Sequence, residues 1–146
     1  PNQVGQFVIT KFILNAKQKN PIVINGDGNQ RRAYCYVDDA VRGILVALHS
    51  KKANGEIFNI GNENNLVSIK ELAQMICKVL NITDANIIND FDYKNTDREK
   101  GREIVNRCPD TTKAKLQLGF EAKIELEIAL KKVIEEANYT KNWPDK

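Results

Sequence analysis

The sequence predicts a small α/β chain, an α+β lobe with one small mixed sheet and about five helices. Three observations predict it. Apolar residues recur at helical spacing in several separate segments. Short β-branched runs lie among them, most of them closed by glycine or asparagine. Regular strand–helix alternation is incomplete, as in a lobe that holds part of a parallel sheet.

Val4, Phe7, Val8, Phe12, Ile13 and Ala16 share one face of a predicted helix over 4–18, which Asn20-Pro21 ends. Ile22-Val23-Ile24 reads as a strand stopped by Gly26-Asp27-Gly28, and Arg32 to Val37 as a second strand. Asp38 or Asp39 then caps a helix whose apolar residues are Val41, Ile44, Leu45 and Leu48. Gly55 closes that region, and Glu56 to Ile60 reads as a third strand closed by Gly61-Asn62. Ser68-Ile69-Lys70-Glu71 is a capping box, followed by a helix with Ile69, Leu72, Ala73, Ile76 and Leu80 on one face. Ile87-Ile88 is a short strand, and 92–107 is polar and irregular with a late extended piece at Ile104-Val105. Asp110-Thr111-Thr112 starts a short helix that Gly119 stops after Leu118. A last helix over 124–137 is expected to bury Ile124, Leu126, Ile128, Leu130, Val133 and Ile134. Residues 1–139 are expected to form one domain, with 140–146 a frayed tail.

The 146 residues fit one domain or part of a larger one. With 42% hydrophobic and 28% charged residues, the composition is that of a soluble globular protein. A net charge of +3 is too mild, and the basic residues of Lys11–Lys19 and Lys94–Arg107 too interspersed, for a nucleic-acid surface. Cys35, Cys77 and Cys108 form no CxxC pair, and His49 stands alone, so no zinc motif can be assembled. Reduced thiols in a cytoplasmic protein are the expectation. Two sequons, at Asn81 and Asn138, have no other mark of secretion beside them. No secretory signal is recognisable, and no apolar run approaches the roughly 20 residues of a membrane helix. A start at Pro1 suggests a processed or excised piece.

Catalytic motifs are missing: there is no GxSxG, HExxH, Walker A loop or glycine-rich turn between a strand and a helix. Gly26-Asp27-Gly28 reads as a plain turn between strands. His49 ends a helical pattern, where it complements the helix dipole. Asp38 and Asp39 read as a cap, not an acid pair, because neighbours on a helix point different ways. The arginines say more. The planar guanidinium suits bidentate binding of phosphate. In a strand, Arg31 and Arg32 face opposite sides, and periodicity does not say which one faces a cleft.

The segment NPIVINGDGNQRRAYCYVDDAVRGILVAL resembles the pattern GxPLxVYGDGxQxRxFxYVDDxVxGLxxAL. That pattern belongs to the carboxyl-terminal half of the extended short-chain dehydrogenase/reductases, the NAD-dependent nucleotide-sugar epimerases, dehydratases and decarboxylases. Three more blocks match in order: GQFVITKFILNA, GEIFNIGNENNLVSIKELAQMI and NRCPDTTKAKLQLGFEAKIELEIAL. The resemblance covers nearly the whole chain and implies the substrate-binding part of an extended Rossmann-type enzyme. It puts Arg32 at a position that binds the substrate diphosphate, and matches Arg107 more loosely to a second such arginine, with Arg102 a competitor. It sets Val23, Ile24 and Asn25 where the backbone meets the nucleotide base, Val8 and Lys11 along the nucleotide pocket, and Gln30 beside the arginine clamp. Arg31 departs from a usual Thr or Ser and Asn25 from a usual aromatic, which leaves base and sugar open. Phe120 stands for the usual Trp, and Ala122 where Pro is common.

The family's chemistry needs a GxxGxxG fingerprint for NAD and a YxxxK pair. None of Tyr34, Tyr36, Tyr93 and Tyr139 has lysine four residues on. The resemblance thus implies NAD in the whole enzyme and none in this chain, no catalytic residue here, and an amino-terminal Rossmann domain as partner. It implies an apolar face at the helix from Asp38 and the strand Glu56–Ile60, where that domain would pack, with a second copy of the chain as another candidate. The ending RCPDTTKAKLQLGF leans toward the glucuronate-decarboxylase and dehydratase-like branches. The competing expectation is a non-catalytic binding or assembly module derived from the same lobe.

Overall fold

Helix and strand appear where apolar spacing changes from helical to alternating, and the ends are set by glycine, proline and caps. The structure, a computed structural model, describes residues 7–91 and 104–139. In chain order the elements are α1 (Val8–Lys17), β1 (Ile22–Asn25), β2 (Arg31–Ala33), α2 (Val37–His49), β3 (Leu66–Ser68), α3 (Ile69–Val79), β4 (Ile87–Asp90), β5 (Asn106–Arg107) and α4 (Leu126–Tyr139). They form two compact units. The first draws on 1–30, 68–105 and 130–146, the second on 31–67 and 106–129.

In the first unit α1 buries Phe12, Ile13 and Ala16. Asn20-Pro21 leads into β1, which pairs in parallel with β4 from Ile22↔Ile87 to Asn25↔Asp90. The β1 chain end turns through Gly26 and Gly28, at φ 73° and 76°. A side chain at Gly28 would also meet Ile24 Cγ2 at 3.0 Å. The capping box of α3 forms as the sequence predicts: Glu71 N donates to Ser68 Oγ at 3.1 Å, and Ser68 N donates to Glu71 Oε2 at 2.7 Å. That helix buries Ile69, Leu72, Ala73, Ile76 and Cys77, and packs with α1 and β1. Each such apolar side chain contributes about 1.5–3 kcal/mol by leaving water.

In the second unit β2 lies between β3 and β5. Its pairing with β5 is parallel, Arg31↔Asn106 and Arg32↔Arg107. The core gathers Ala114, Phe120 and Ala122, with Cys35, Val46, Phe58, Ile60 and Leu118 against them. Gly43 lets α2 approach that core: a Cβ there would lie 2.6 Å from Ile60 Cγ2 and 2.9 Å from Phe120 Cζ.

Several expectations are corrected. The strand read over Arg32–Val37 stops at Ala33, because Val37 already begins α2. Neither Asp38 nor Asp39 caps that helix; Tyr36 is the N-cap residue, its side chain making no capping hydrogen bond, and both aspartates lie in the first turn. Glu56–Ile60 pairs in no ladder among the described residues, and a strand without a partner has no hydrogen bonds to define it. The extended piece near 104 is paired two residues later, as β5. The short helix is a π turn over Ala114–Leu118, ended by Gly119 at φ 64°. Ile128 is exposed, since the buried stripe at the start of α4 runs through Leu126, Ala129 and Leu130. The mixed α/β class holds, and among the described residues the strands form two small sheets, β1–β4 and β3–β2–β5. The predicted start of the first helix at 4–6, most of the irregular loop, Arg102, Tyr93 and the tail 140–146 lie outside the described residues.

Candidate functional site

β2 carries two arginines onto opposite faces. Arg31 is exposed, and its Nη2 donates to Leu66 O at 2.9 Å. Arg32 is half-buried, and its Nη1 donates to Arg31 O at 2.7 Å. Register pairing sets Arg107 of β5 beside Arg32 on the neighbouring strand. Side chains of residues paired across neighbouring strands stand on the same face of the sheet. One ladder thus sets two arginines 75 residues apart in sequence (107 minus 32) as neighbours on adjacent strands.

Tyr34 lies one residue beyond the end of β2, two residues past Arg32, and carries no motif that marks it as a site residue. Its backbone is clamped by Asn65: Tyr34 N donates to Asn65 O at 3.3 Å, and Asn65 Nδ2 donates to Tyr34 O at 3.1 Å. Its hydroxyl oxygen is buried and has no hydrogen-bond partner among the described residues. Burial pushes its pKa up to about 12 against the opposing pull of the Arg32 charge.

A polar network holds this part of the unit. Buried Asn65 also donates from Nδ2 to Ile124 O at 2.9 Å, and its Oδ1 accepts from Leu126 N at 3.0 Å. Asn62 Nδ2 donates to Ile124 O at 3.1 Å. Asp39, 2% exposed, accepts from Lys123 N at 2.8 Å and Ile124 N at 2.7 Å, and pairs with Arg42 at 2.6 Å. Burial alone would raise the Asp39 pKa. The bonds from Ile124 N, Arg42 and Lys123 N outweigh it and hold the carboxyl below its ordinary value. Arg42 also donates to Glu121 O at 2.7 Å and lies over the Phe120 ring at 4.8 Å. Asp39 therefore anchors a distant backbone segment. No local pattern signals that, because its partners are main-chain groups more than 80 residues away.

The other singled-out residues lie in the first unit. Val8 and Lys11 are half-buried on α1. Ile24 points into the core, while Val23 and Asn25 are half-buried, and β1 pairs only with β4 among the described residues. Gln30 is buried: its Nε2 donates to Asn25 O at 3.0 Å, and its O accepts from Ile69 N at 3.1 Å. It fixes the turn after β1. His49 ends α2, its Nδ1 donating to Leu45 O at 2.8 Å.

Gly26-Asp27-Gly28 connects β1 to β2 and opens no helix, and the strand-to-helix junctions at 33–37 and 68–69 contain no glycine. Those junctions do not fit the pyrophosphate of NAD, which needs a glycine turn leading into a helix N-terminus. Among the described residues no group of His, Cys, Asp and Glu could hold a metal ion, and no helix is long and apolar enough to cross a membrane. The cysteines are unpaired. On α2, Val37, Val41, Ile44, Leu45 and Leu48 are exposed, as is Ile57 at 85% in the segment 56–60.

The sequence profile described as "NAD dependent epimerase/dehydratase family" matches residues 1–61. A UDP-N-acetyl-alpha-D-glucosaminuronate decarboxylase of Bacillus cytotoxicus is 37% identical over 128 residues, covering 88% of this chain and 39% of the relative. The solved dTDP-glucose 4,6-dehydratase of Bacillus anthracis str. Ames, in complex with NAD, superposes with a TM-score of 0.80 at 25% identity, over 98% of this chain and 42% of the other. A UDP-glucuronic acid 4-epimerase of Bacillus cereus, with UDP-glucuronic acid and NAD, superposes with a TM-score of 0.75 at 26% identity, over 90% of this chain and 40% of that one. The chain spans about two fifths of the length of the proteins it is compared with here.

Proposed function

The chain belongs to the extended short-chain dehydrogenase/reductases, the NAD-dependent epimerase/dehydratase family, and we propose that it binds the nucleotide-diphosphate sugar of such an enzyme. The observation that carries this reading is the pairing of Arg32 with Arg107 on one face of β2–β5. A diphosphate supplies charge and geometry for both planar forks. UDP is the proposed nucleotide, in keeping with the UDP-sugar relatives. The roles of Val8, Lys11, Val23, Ile24, Asn25 and Gln30 toward the nucleotide follow from the family pattern. The edge of β1, which pairs only with β4 among the described residues, and the fixed turn at Gln30 are compatible with them.

Hydride transfer and the base that starts it are assigned to groups outside this chain, because no tyrosine here has the required lysine. The exposed apolar side chains of α2 and Ile57 support packing against further polypeptide. Calorimetry with UDP-, dTDP-, GDP- and CDP-sugars tests the reading. A UDP-sugar is expected to bind most tightly, and Arg32→Ala to weaken it about tenfold or more, the equivalent of about 1.4 kcal/mol. Binding unchanged by Arg32→Ala would overturn it.

A further inference from the structure

We infer that the Tyr34 hydroxyl is a ligand-binding donor, hydrogen-bonding the same diphosphate that Arg32 grips. The inference rests on the reading above and adds a neutral donor to the two cations. Tyr34 stands two residues past Arg32, near enough for the Arg32 charge to act on its hydroxyl. Asn65 bonds both the N–H and the C=O of Tyr34, and is itself fixed by Ile124 O and Leu126 N, so the ring is carried on an immobilised backbone. At the end of that ring sits a buried hydroxyl with no hydrogen-bond partner among the described residues. Buried hydroxyls are almost always hydrogen-bonded, and leaving one unmade costs free energy. A phenylalanine would fill the same space without that cost, so the bare hydroxyl is explained by a partner that arrives with a ligand. The Arg32 charge acts on the hydroxyl, and burial keeps it protonated at neutral pH, so it can only donate to an anionic acceptor. A phosphate oxygen drawn to Arg32 is such an acceptor.

Calorimetry of the full chain with UDP and with uridine tests this, comparing wild type, Tyr34→Phe and Arg32→Ala, with thermal melting of each. Tyr34→Phe is expected to weaken UDP about tenfold or more, because a hydrogen bond to a charged group is lost. Uridine binding and the melting midpoint of the free chain are expected to hold, or the midpoint to rise. UDP binding by Tyr34→Phe equal to wild type, with Arg32→Ala weakened, would overturn the inference alone and make water the hydroxyl's partner. An equal loss with uridine would move the contact to the nucleoside and overturn the phosphate assignment. UDP binding weakened by Tyr34→Phe and untouched by Arg32→Ala would uphold the hydroxyl's role and overturn that of the arginine. No UDP binding by wild type at millimolar concentration would overturn both.

Discussion

Arg32 and Arg107 are register partners in the parallel pairing of β2 with β5. Like charges on neighbouring strands repel one another. Arg107→Gln is therefore expected to leave the free chain's melting midpoint unchanged or slightly higher, while weakening a UDP-sugar about tenfold. Melting curves with and without ligand read both effects. A midpoint that falls without ligand would show that Arg107 serves stability instead.

Asp39 joins α2 to the backbone of Lys123 and Ile124. Asp39→Ala would leave the Lys123 and Ile124 N–H groups without that acceptor and Arg42 without its carboxylate. A loss of about 3 kcal/mol in denaturant unfolding is expected.

The same carboxylate sets an acid limit. Its folded pKa is depressed, so its contribution is fully present above the unfolded carboxylate value of about 3.9 and disappears as pH falls through the folded value. Below about pH 4, stability is expected to drop more steeply for wild type than for Asp39→Asn. Parallel slopes for the two proteins would contradict the assignment.

At Gly43 the backbone of α2 lies close against the second unit's core. Alanine normally favours a helix, yet here its methyl would press on Ile60 and Phe120. Gly43→Ala is expected to destabilise by about 1–3 kcal/mol, the usual cost of overpacking. A melting midpoint equal to or above wild type would show that the core yields.

Leu48 and Ile44 lie exposed on α2, 75% and 60% accessible. Leu48→Glu is expected to change the stability of the free chain by no more than about 0.5 kcal/mol. It is also expected to reduce self-association in sedimentation velocity, because it breaks the apolar patch with charge. Unchanged association would place the contact elsewhere.

Local chemistry decided much of this protein. The capping box at Ser68, the glycine turn after β1, the stripe of α3 and the stop at Gly119 all act within a few residues, so they were legible in the sequence, as was the order of motifs that identifies the family. Tertiary structure decided the rest. The strand read at 56–60 has no ladder because pairing needs a partner, and none is present among the described residues. Asp39 looked like a helix cap because its neighbours in sequence are a helix start, but its hydrogen bonds run to residues 123 and 124. Alternation could set Arg31 and Arg32 on opposite faces. Only the β2–β5 register could bring Arg107 beside Arg32, since ladder pairing between segments so far apart follows from the packed chain and not from any local pattern.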